Sequence, residues 1–330
     1  MSESKVSILG CGAFALAIAN MLASKGKEVV LWAYSDAVAD EINRNHSRDK
    51  LPGIPLHSCI KATSNMQEAL HDVCGIVVCM PSQFILKTIE LWTPYFNHDI
   101  PVLCLSKGIV SEKELLLSDV FIKRLKHLRF ALLSGPNLAL EIAQGKPAAS
   151  VIASRDTECA HFFQRLLSSD VFRTYTSSDI IGVACGGVLK NIMAIAAGCI
   201  DTLGLGLNTK SVLMSRGLAE MQVFGEHLGA EAKTFFGLSG MGDLIATCSS
   251  PLSRNYQVGQ QIGKGASLTD IRDQFGSLAE GVYATKYVYA YAKENQITLP
   301  ITKTVYNVLF HQQDISTSIY TLMTRDLKAE

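Results

Sequence analysis

Three groups of residues in this chain have the types and spacing to do chemistry. The first is Gly10-Cys11-Gly12-Ala13-Phe14-Ala15, placed directly after the short apolar run Val6–Leu9 and at the start of a helical pattern. In such a turn Gly10 permits the tight bend and Gly12 lets the backbone approach a pyrophosphate. The small Ala15 allows close helix–strand packing, and the N–H groups of the helix start face the phosphates. A glycine-rich turn without a ligand fits the same residues, but the position after a first strand favours a dinucleotide. The second group centres on Lys190, which shares its helix face with Gly186, Gly187, Met193 and Ala194. Small neighbours suit close approach by a ligand or by another backbone. Desolvation lowers the pKa of a buried ammonium into the range useful for proton transfer, unless the side chain simply snorkels to the surface. The third is Ser253-Arg254-Asn255, with Ser253 placed to cap a helix running through Tyr256 and Ile262. Its backbone N–H groups, hydroxyl, guanidinium and amide make a phosphate grip; a plain capped helix with an exposed arginine is the alternative.

Other patterns fall short. Gly237-x-Ser239 lacks the closing glycine and the leading strand of a nucleophile elbow, and Gly263-Lys264-Gly265 fails the P-loop spacing. No histidine pair or carboxylate cluster has metal-ligand spacing, so no metal is expected. The second strand ends Trp32-Ala33-Tyr34-Ser35, without the acid that grips an NAD ribose, and Asp36 comes late enough to cap the next helix instead. Repulsion of a 2′-phosphate is thereby weakened, so the cofactor is NAD or NADP. Arg44, Arg48 and Lys50 could meet such a phosphate, although solvated surface charges account for them equally well.

The elements that must position these groups follow from hydrophobic periodicity. Apolar runs at Val6–Leu9, Val29–Trp32, Gly75–Met80, Pro101–Leu105, Arg129–Leu133, Ala149–Ile152 and Phe172–Tyr175 alternate with helical segments. This predicts a parallel sheet covered on both faces. From the N-cap cluster Ser177-Ser178-Asp179 onward the strand signal disappears. Helices are expected at 180–203, 211–228 with Gly229 at C′, 282–294, 301–310 and 317–324. Ser267 and Asp270 form a variant capping box. Gly237–Asp243 reads as a flexible loop. The expected fold class is an α/β N-terminal Rossmann-like doubly wound sheet plus an all-α C-terminal domain, with residues 1–179 binding dinucleotide and 180–330 binding substrate.

Composition narrows the class. Of 330 residues, 48% are apolar and 18% charged, which argues for an ordinary globular chain. Thirty basic and thirty acidic residues cancel, which argues against nucleic acid as a partner. Nine cysteines without a Cys-x-x-Cys pair suggest free thiols in a reducing compartment, hence the cytoplasm. No signal peptide or membrane span is expected, because Gly182–Ile200 carries Lys190 and Asn191 at its middle.

Taken in order, Gly10–Ala15, Leu51-Pro52-Gly53, Ser106-Lys107-Gly108, Ser134-Gly135-Pro136-Asn137-Leu138-Ala139, Leu189-Lys190-Asn191, Gly240-Met241-Gly242-Asp243-Leu244, Ser253-Arg254-Asn255 and Ala279-Glu280-Gly281 resemble the bacterial NAD(P)-dependent glycerol-3-phosphate dehydrogenases. The likeness runs from about Val6 to Thr324. It implies reversible reduction of dihydroxyacetone phosphate to sn-glycerol 3-phosphate, supplying phospholipid synthesis, with Lys190 as proton donor and acceptor. By the same resemblance, Lys107, Gly135, Asn137, Asp243, Ser253, Arg254 and Asn255 bind the small phosphate substrate. Gly10, Gly12, Ala13, Phe14, Tyr34, Lys107, Ala139, Arg254, Leu278 and Glu280 bind NAD or NADP. Asp243 would pair with Lys190 or Lys107, and the family suggests a homodimer. Three positions depart from the pattern: Tyr34 replaces a common Arg or His, Asn137 a Ser or Thr, and Ala13 a Ser. The competing readings are a related hydroxy-acid or sugar-acid dehydrogenase and a dinucleotide-sensing regulator without turnover.

Overall fold

Seven of the eight strands form on the apolar runs named above. The computed structural model of the chain describes residues 5–110, 116–125 and 127–327. Strands β1 (Lys5–Leu9), β2 (Glu28–Trp32), β3 (Ile60–Thr63), β4 (Gly75–Val78), β5 (Val102–Cys104), β6 (Phe130–Ser134), β7 (Ala148–Ala153) and β8 (Phe172–Ser177) make one sheet in the order β3-β2-β1-β4-β5-β6-β7-β8. The first six are parallel; β7 runs against β6, and β8 runs with β7. Periodicity does not reveal β3. It is a four-residue edge strand that pairs only with β2 and exposes Lys61, so its apolar signal is half that of a covered strand.

Between the strands run α1 (Ala13–Ser24), α2 (Asp36–Asn45), α3 (Met66–Leu70), α4 (Ile85–Trp92), α5 (Leu117–Arg124), α6 (Ala139–Ala143) and α7 (Thr157–Leu167). They cover both faces of the sheet with apolar side chains, which is why β1 and β4 are buried nearly throughout. The strand order reverses between β1 and β4, and a doubly wound sheet opens its crevice above the carboxyl ends of such a pair. Gly10 sits there for steric reasons. Its φ is +126°, and a Cβ on it would lie 2.1 Å from the Cys79 carbonyl oxygen.

Beyond β8 the described residues are helical: α8 (Ile180–Thr202), α9 (Gly206–His227), α10 (Asp243–Ser249), α11 (Arg254–Gly263), α12 (Leu268–Phe275), α13 (Glu280–Glu294), α14 (Pro300–His311) and α15 (Ile315–Met323). Asp179 starts α8 by accepting the Gly182 N–H at 2.8 Å. Its other oxygen takes the Glu231 N–H at 3.0 Å and the Thr234 hydroxyl at 2.6 Å, which fixes the chain after α9 to the start of α8. Ser267 and Asp270 do form the capping box, and Gly229 stands at C′ of α9 with φ +93°. Two expectations change. Helix α9 begins at Gly206 rather than Ser211, so the glycine pair separates two helices by only a few residues. Gly237–Asp243 is no flexible loop. Residues Leu238–Gly242 form a π turn leading into α10, and Gly240 is required because a Cβ would lie 2.1 Å from the Phe235 carbonyl oxygen.

Helix α8 is the axis of this half. By length and apolarity it could cross a membrane, yet 83% of its apolar window is buried inside the protein. Its small residues admit neighbouring backbone. A Cβ on Gly186 would lie 2.3 Å from the Ser239 carbonyl oxygen, and one on Gly198 would lie 2.1 Å from that of Tyr256. Close backbone approach, left open by the sequence, is thus what these glycines serve.

Candidate active site

Lys190 projects from the middle of α8 into a dry, charged centre. Its Nζ donates to Asp243 Oδ1 and, at 2.8 Å, to the Thr247 hydroxyl. Lys107, just after β5, donates to Asp243 Oδ2 at 2.8 Å and to the Gly135 carbonyl at 3.0 Å. One carboxylate therefore holds two ammonium groups from the two halves of the molecule. Asp243 is 1% exposed and Lys190 7%, so solvent screens these charges little. Burial pushes Lys190 down to about 8, with the nearby Lys107 charge adding to the fall and Asp243 opposing it. Burial works against an ionised Asp243, but the charges of Lys107 and Lys190 prevail and hold its carboxyl below the usual range. An amine brought down to about 8 and oriented by a fixed anion has the chemistry to serve as a general acid and base.

Helix geometry explains the arrangement. Asp243 and Thr247 are the first and fifth residues of α10, one turn apart on one face, and α10 packs along α8. Thr247 is a site residue that sequence reading misses. Its signal, the i,i+4 spacing from Asp243, becomes visible only once α10 is recognised as a helix. Asn137 lies beyond Gly135 in the turn after β6. Its Oδ1 accepts the Ser150 hydroxyl at 2.6 Å, while its buried Nδ2 has no hydrogen-bond partner and is a free donor.

Ser253-Arg254-Asn255 forms the N-terminus of α11, but its members differ in freedom. Ser253 caps the helix, accepting the Tyr256 N–H. Asn255 is fully engaged: its Nδ2 donates to Asn191 Oδ1 at 2.9 Å and its Oδ1 accepts the Gly281 N–H at 2.8 Å. It ties α11 to the residue after Lys190 and to the start of α13, a structural duty that the anion-grip reading did not foresee. Arg254 is exposed and donates to the Ser277 carbonyl at 2.8 Å. Its charge reaches Glu280, whose carboxyl is raised chiefly by burial. Glu280 in turn accepts the Ser82 N–H at 2.9 Å and the Ser82 hydroxyl at 2.7 Å. Ser82, in the turn after β4, is a second residue that the sequence did not single out.

The dinucleotide turn has room for a ligand that nothing else requires. Gly12 has an ordinary extended backbone, φ −79° and ψ 171°, and a Cβ on it would meet nothing within 4 Å. Neither the bend nor the packing needs a glycine here, and its missing side chain leaves open space over the start of α1. Ala13 and Phe14 open that helix, Ala139 opens α6 against it, and Leu278 packs on the helical core beside Glu280. Tyr34 follows β2 and is 75% exposed. Two expectations at this edge are corrected. Asp36 does not cap α2; its carboxylate takes the Ser64 hydroxyl. Arg48 is not a solvated charge, for its side chain is only 10% exposed and donates to the Cys11 carbonyl. Arg44 and Lys50 are exposed. Among the described residues, no group of three or more His, Cys, Asp or Glu could hold a metal.

Comparison with known proteins gives the family. Residues 5–160 match the family model for the NAD-dependent glycerol-3-phosphate dehydrogenase N-terminus, and residues 179–320 match that for its C-terminus. The chain is 41% identical over 329 residues to glycerol-3-phosphate dehydrogenase [NAD(P)+] of Corynebacterium glutamicum strain R, covering 98% of this chain and 99% of the relative. A Maridesulfovibrio salexigens protein of the same name is also 41% identical, over 99% of this chain and 100% of its own. Among solved structures, glycerol-3-phosphate dehydrogenase of Coxiella burnetii superimposes with a TM-score of 0.94 at 32% identity, covering 98% of this chain and 99% of that one. A D-mandelate dehydrogenase shares the fold alone, with a TM-score of 0.64 at 15% identity and coverage of 97% and 100%.

Proposed function

The chain belongs to the NAD-dependent glycerol-3-phosphate dehydrogenase family, and from that premise we propose how its own residues carry the reaction. The activity is NAD(P)-dependent interconversion of dihydroxyacetone phosphate and sn-glycerol 3-phosphate. The observation that carries the site assignment is the buried Lys107–Asp243–Lys190 triad. Gly10, Gly12, Ala13 and Phe14 would hold the dinucleotide, which would supply hydride chemistry at the substrate's central carbon. Lys190 gives a proton to the oxygen on that carbon during reduction and takes it back during oxidation. Asp243 and Thr247 orient the amine, and Asp243 stays ionised through the cycle. Lys107 places a second positive charge where the ketone oxygen gains negative charge. The free Asn137 Nδ2 meets a substrate hydroxyl. Ser253, Arg254 and Asn255 bring the α11 N-terminus and one guanidinium to the substrate phosphate, and Arg254 also faces the cofactor together with Tyr34, Ala139, Leu278 and Glu280.

In this reading residues 1–179 grip the cofactor and 180–330 complete the substrate site, so neither half is active alone. The enzyme works as a cytoplasmic homodimer that supplies phospholipid synthesis. Turnover of NADH and NADPH with dihydroxyacetone phosphate, and with 2-oxo acids in its place, tests the assignment. The expected result is oxidation only with the phosphate. Comparable turnover of a 2-oxo acid would move the enzyme to the hydroxy-acid class, and cofactor binding without turnover would make it a sensor.

A further inference from the structure

Arg48 lies in the segment after α2, yet its guanidinium reaches the dinucleotide turn, where Nη1 donates to the Cys11 carbonyl at 2.6 Å. The side chain is nine-tenths buried, and its Nε, shielded from water, has no hydrogen-bond partner. Among the described residues, the nearest carboxylates are Asp49 at 3.9 Å and Glu41 at 4.0 Å from Nε, beyond hydrogen-bond distance and open to solvent screening. A desolvated guanidinium with so weak a counter-charge is costly unless an anion completes it. The peptide it grips points to that anion. A trans peptide sets its C=O and N–H in opposite directions, so holding the Cys11 carbonyl inward turns the Gly12 N–H outward. Donation to the carbonyl also polarises that N–H. Gly12 is the residue whose missing side chain leaves open space. The charge is felt locally: burial pushes the Cys11 thiol up to about 12, and Arg48 pulls against it.

We propose that Arg48 is a positioning residue for the cofactor, bracing the Cys11–Gly12 peptide and placing a positive charge beneath the dinucleotide pyrophosphate. The proposal rests on the assignment of Gly10–Phe14 to the cofactor. Because the pyrophosphate is common to both nucleotides, NADH and NADPH depend on Arg48 equally.

Direct titration of the full-length protein with NADH and with NADPH, followed by nucleotide fluorescence, tests this. Arg48→Gln is expected to raise both dissociation constants about tenfold, the size of one charge-assisted hydrogen bond. Arg48→Lys, which keeps the charge, is expected to recover part of the loss, and added salt to weaken wild-type binding more steeply than that of Arg48→Gln. Thermal melting of each variant without nucleotide confirms that folded protein is being titrated. Unchanged affinity for both nucleotides in Arg48→Gln overturns the proposal. So does a loss confined to NADPH, which would make Arg48 a 2′-phosphate contact, or an equal loss in the Lys and Gln variants, which would leave only a structural brace. Gly12→Val separates failure of the premise: its side chain fills space empty in the protein alone, so unchanged binding in that variant would displace the cofactor from the turn itself.

Discussion

Lys190 was legible as an anomaly before its partners were known, because an ammonium among glycines and alanines demands compensation. The resemblance offers Asp243 as partner of Lys190 or of Lys107, and the structure gives it to both. Asp243 lies fifty-three positions further on, and its sharing between Lys190 and Lys107 depends on the two halves meeting across the cleft. The residue chemistry makes a signed prediction. On the proposed role of Lys190, reduction of the ketone needs it protonated, so the rate is expected to fall as pH rises through about 8; oxidation of the alcohol needs the neutral amine and is expected to rise over the same interval. Asp243→Asn removes the charge that opposes desolvation, so both inflections should move to lower pH. Lys190→Ala should lose about 10²–10⁴-fold in turnover and with it the inflection, while still quenching with NADH. Rates as a function of pH in both directions measure this. A Lys190→Ala enzyme of wild-type activity would return the proton transfer to another group.

At the scale of elements, helices with a clean apolar period and a cap could be read, and those defined by tertiary contact could not. Helix α10 follows a glycine-rich π turn that imitates a loop, and its Gly240 answers to backbone packing rather than to flexibility. The start of α14 was legible to within one residue, but its cap was not. Pro300 has no N–H to satisfy, and Leu299 offers no side-chain cap. The N–H groups of Ile301 and Thr302 are instead taken by Glu220 of α9, which also accepts the Thr302 hydroxyl. No local sequence rule finds a cap supplied from eighty residues away. Glu220→Ala strands two buried backbone N–H groups and the Thr302 hydroxyl, and should cost about 2–4 kcal/mol in urea unfolding. The carboxyl carries a pH signature as well. Burial pushes Glu220 up to about 7, against the pull of its three donors. The native protein therefore binds the proton more tightly than the unfolded chain, and this contribution falls as pH rises from about 4.5 to about 7, then levels off. Wild type should lose stability across that window relative to Glu220→Gln; parallel curves would show that Glu220 titrates as it does in the unfolded chain.

For the whole molecule, the proposed site assignment makes catalysis depend on how firmly the sheet half holds the helical half, since Gly10–Ala15 belongs to one and Lys190 to the other. The sequence divides at Ser177-Ser178-Asp179 and so reveals two halves, but it carries no local sign of what joins them at the crevice. One joint is compact. Glu280, the first residue of α13, receives both the N–H and the hydroxyl of Ser82, which follows β4 and is fully buried. Gly108, next to Lys107, closes the third side, for a Cβ there would lie 2.5 Å from both Glu280 Oε2 and Ser82 Oγ. Gly108→Ala thus inserts a methyl group where neither the carboxylate nor the hydroxyl can stay in place. Separating them breaks the Ser82–Glu280 contact, and Ser82 Cβ, 2.6 Å from the added carbon, must also give way beside Lys107. Displacements of about 1 Å in such positioning cost on the order of 10²-fold in rate. The variant is expected to lose turnover by about that factor and to melt lower than wild type, because an interface contact is broken as well as a reactive geometry. Gly12→Val provides the contrast, since it should weaken cofactor binding and leave melting of the nucleotide-free protein unchanged. Melting and single-turnover rates of the two variants measured together distinguish a joint between halves from a ligand contact. Wild-type melting and turnover in Gly108→Ala would mean that the joint has slack and that the halves are registered elsewhere.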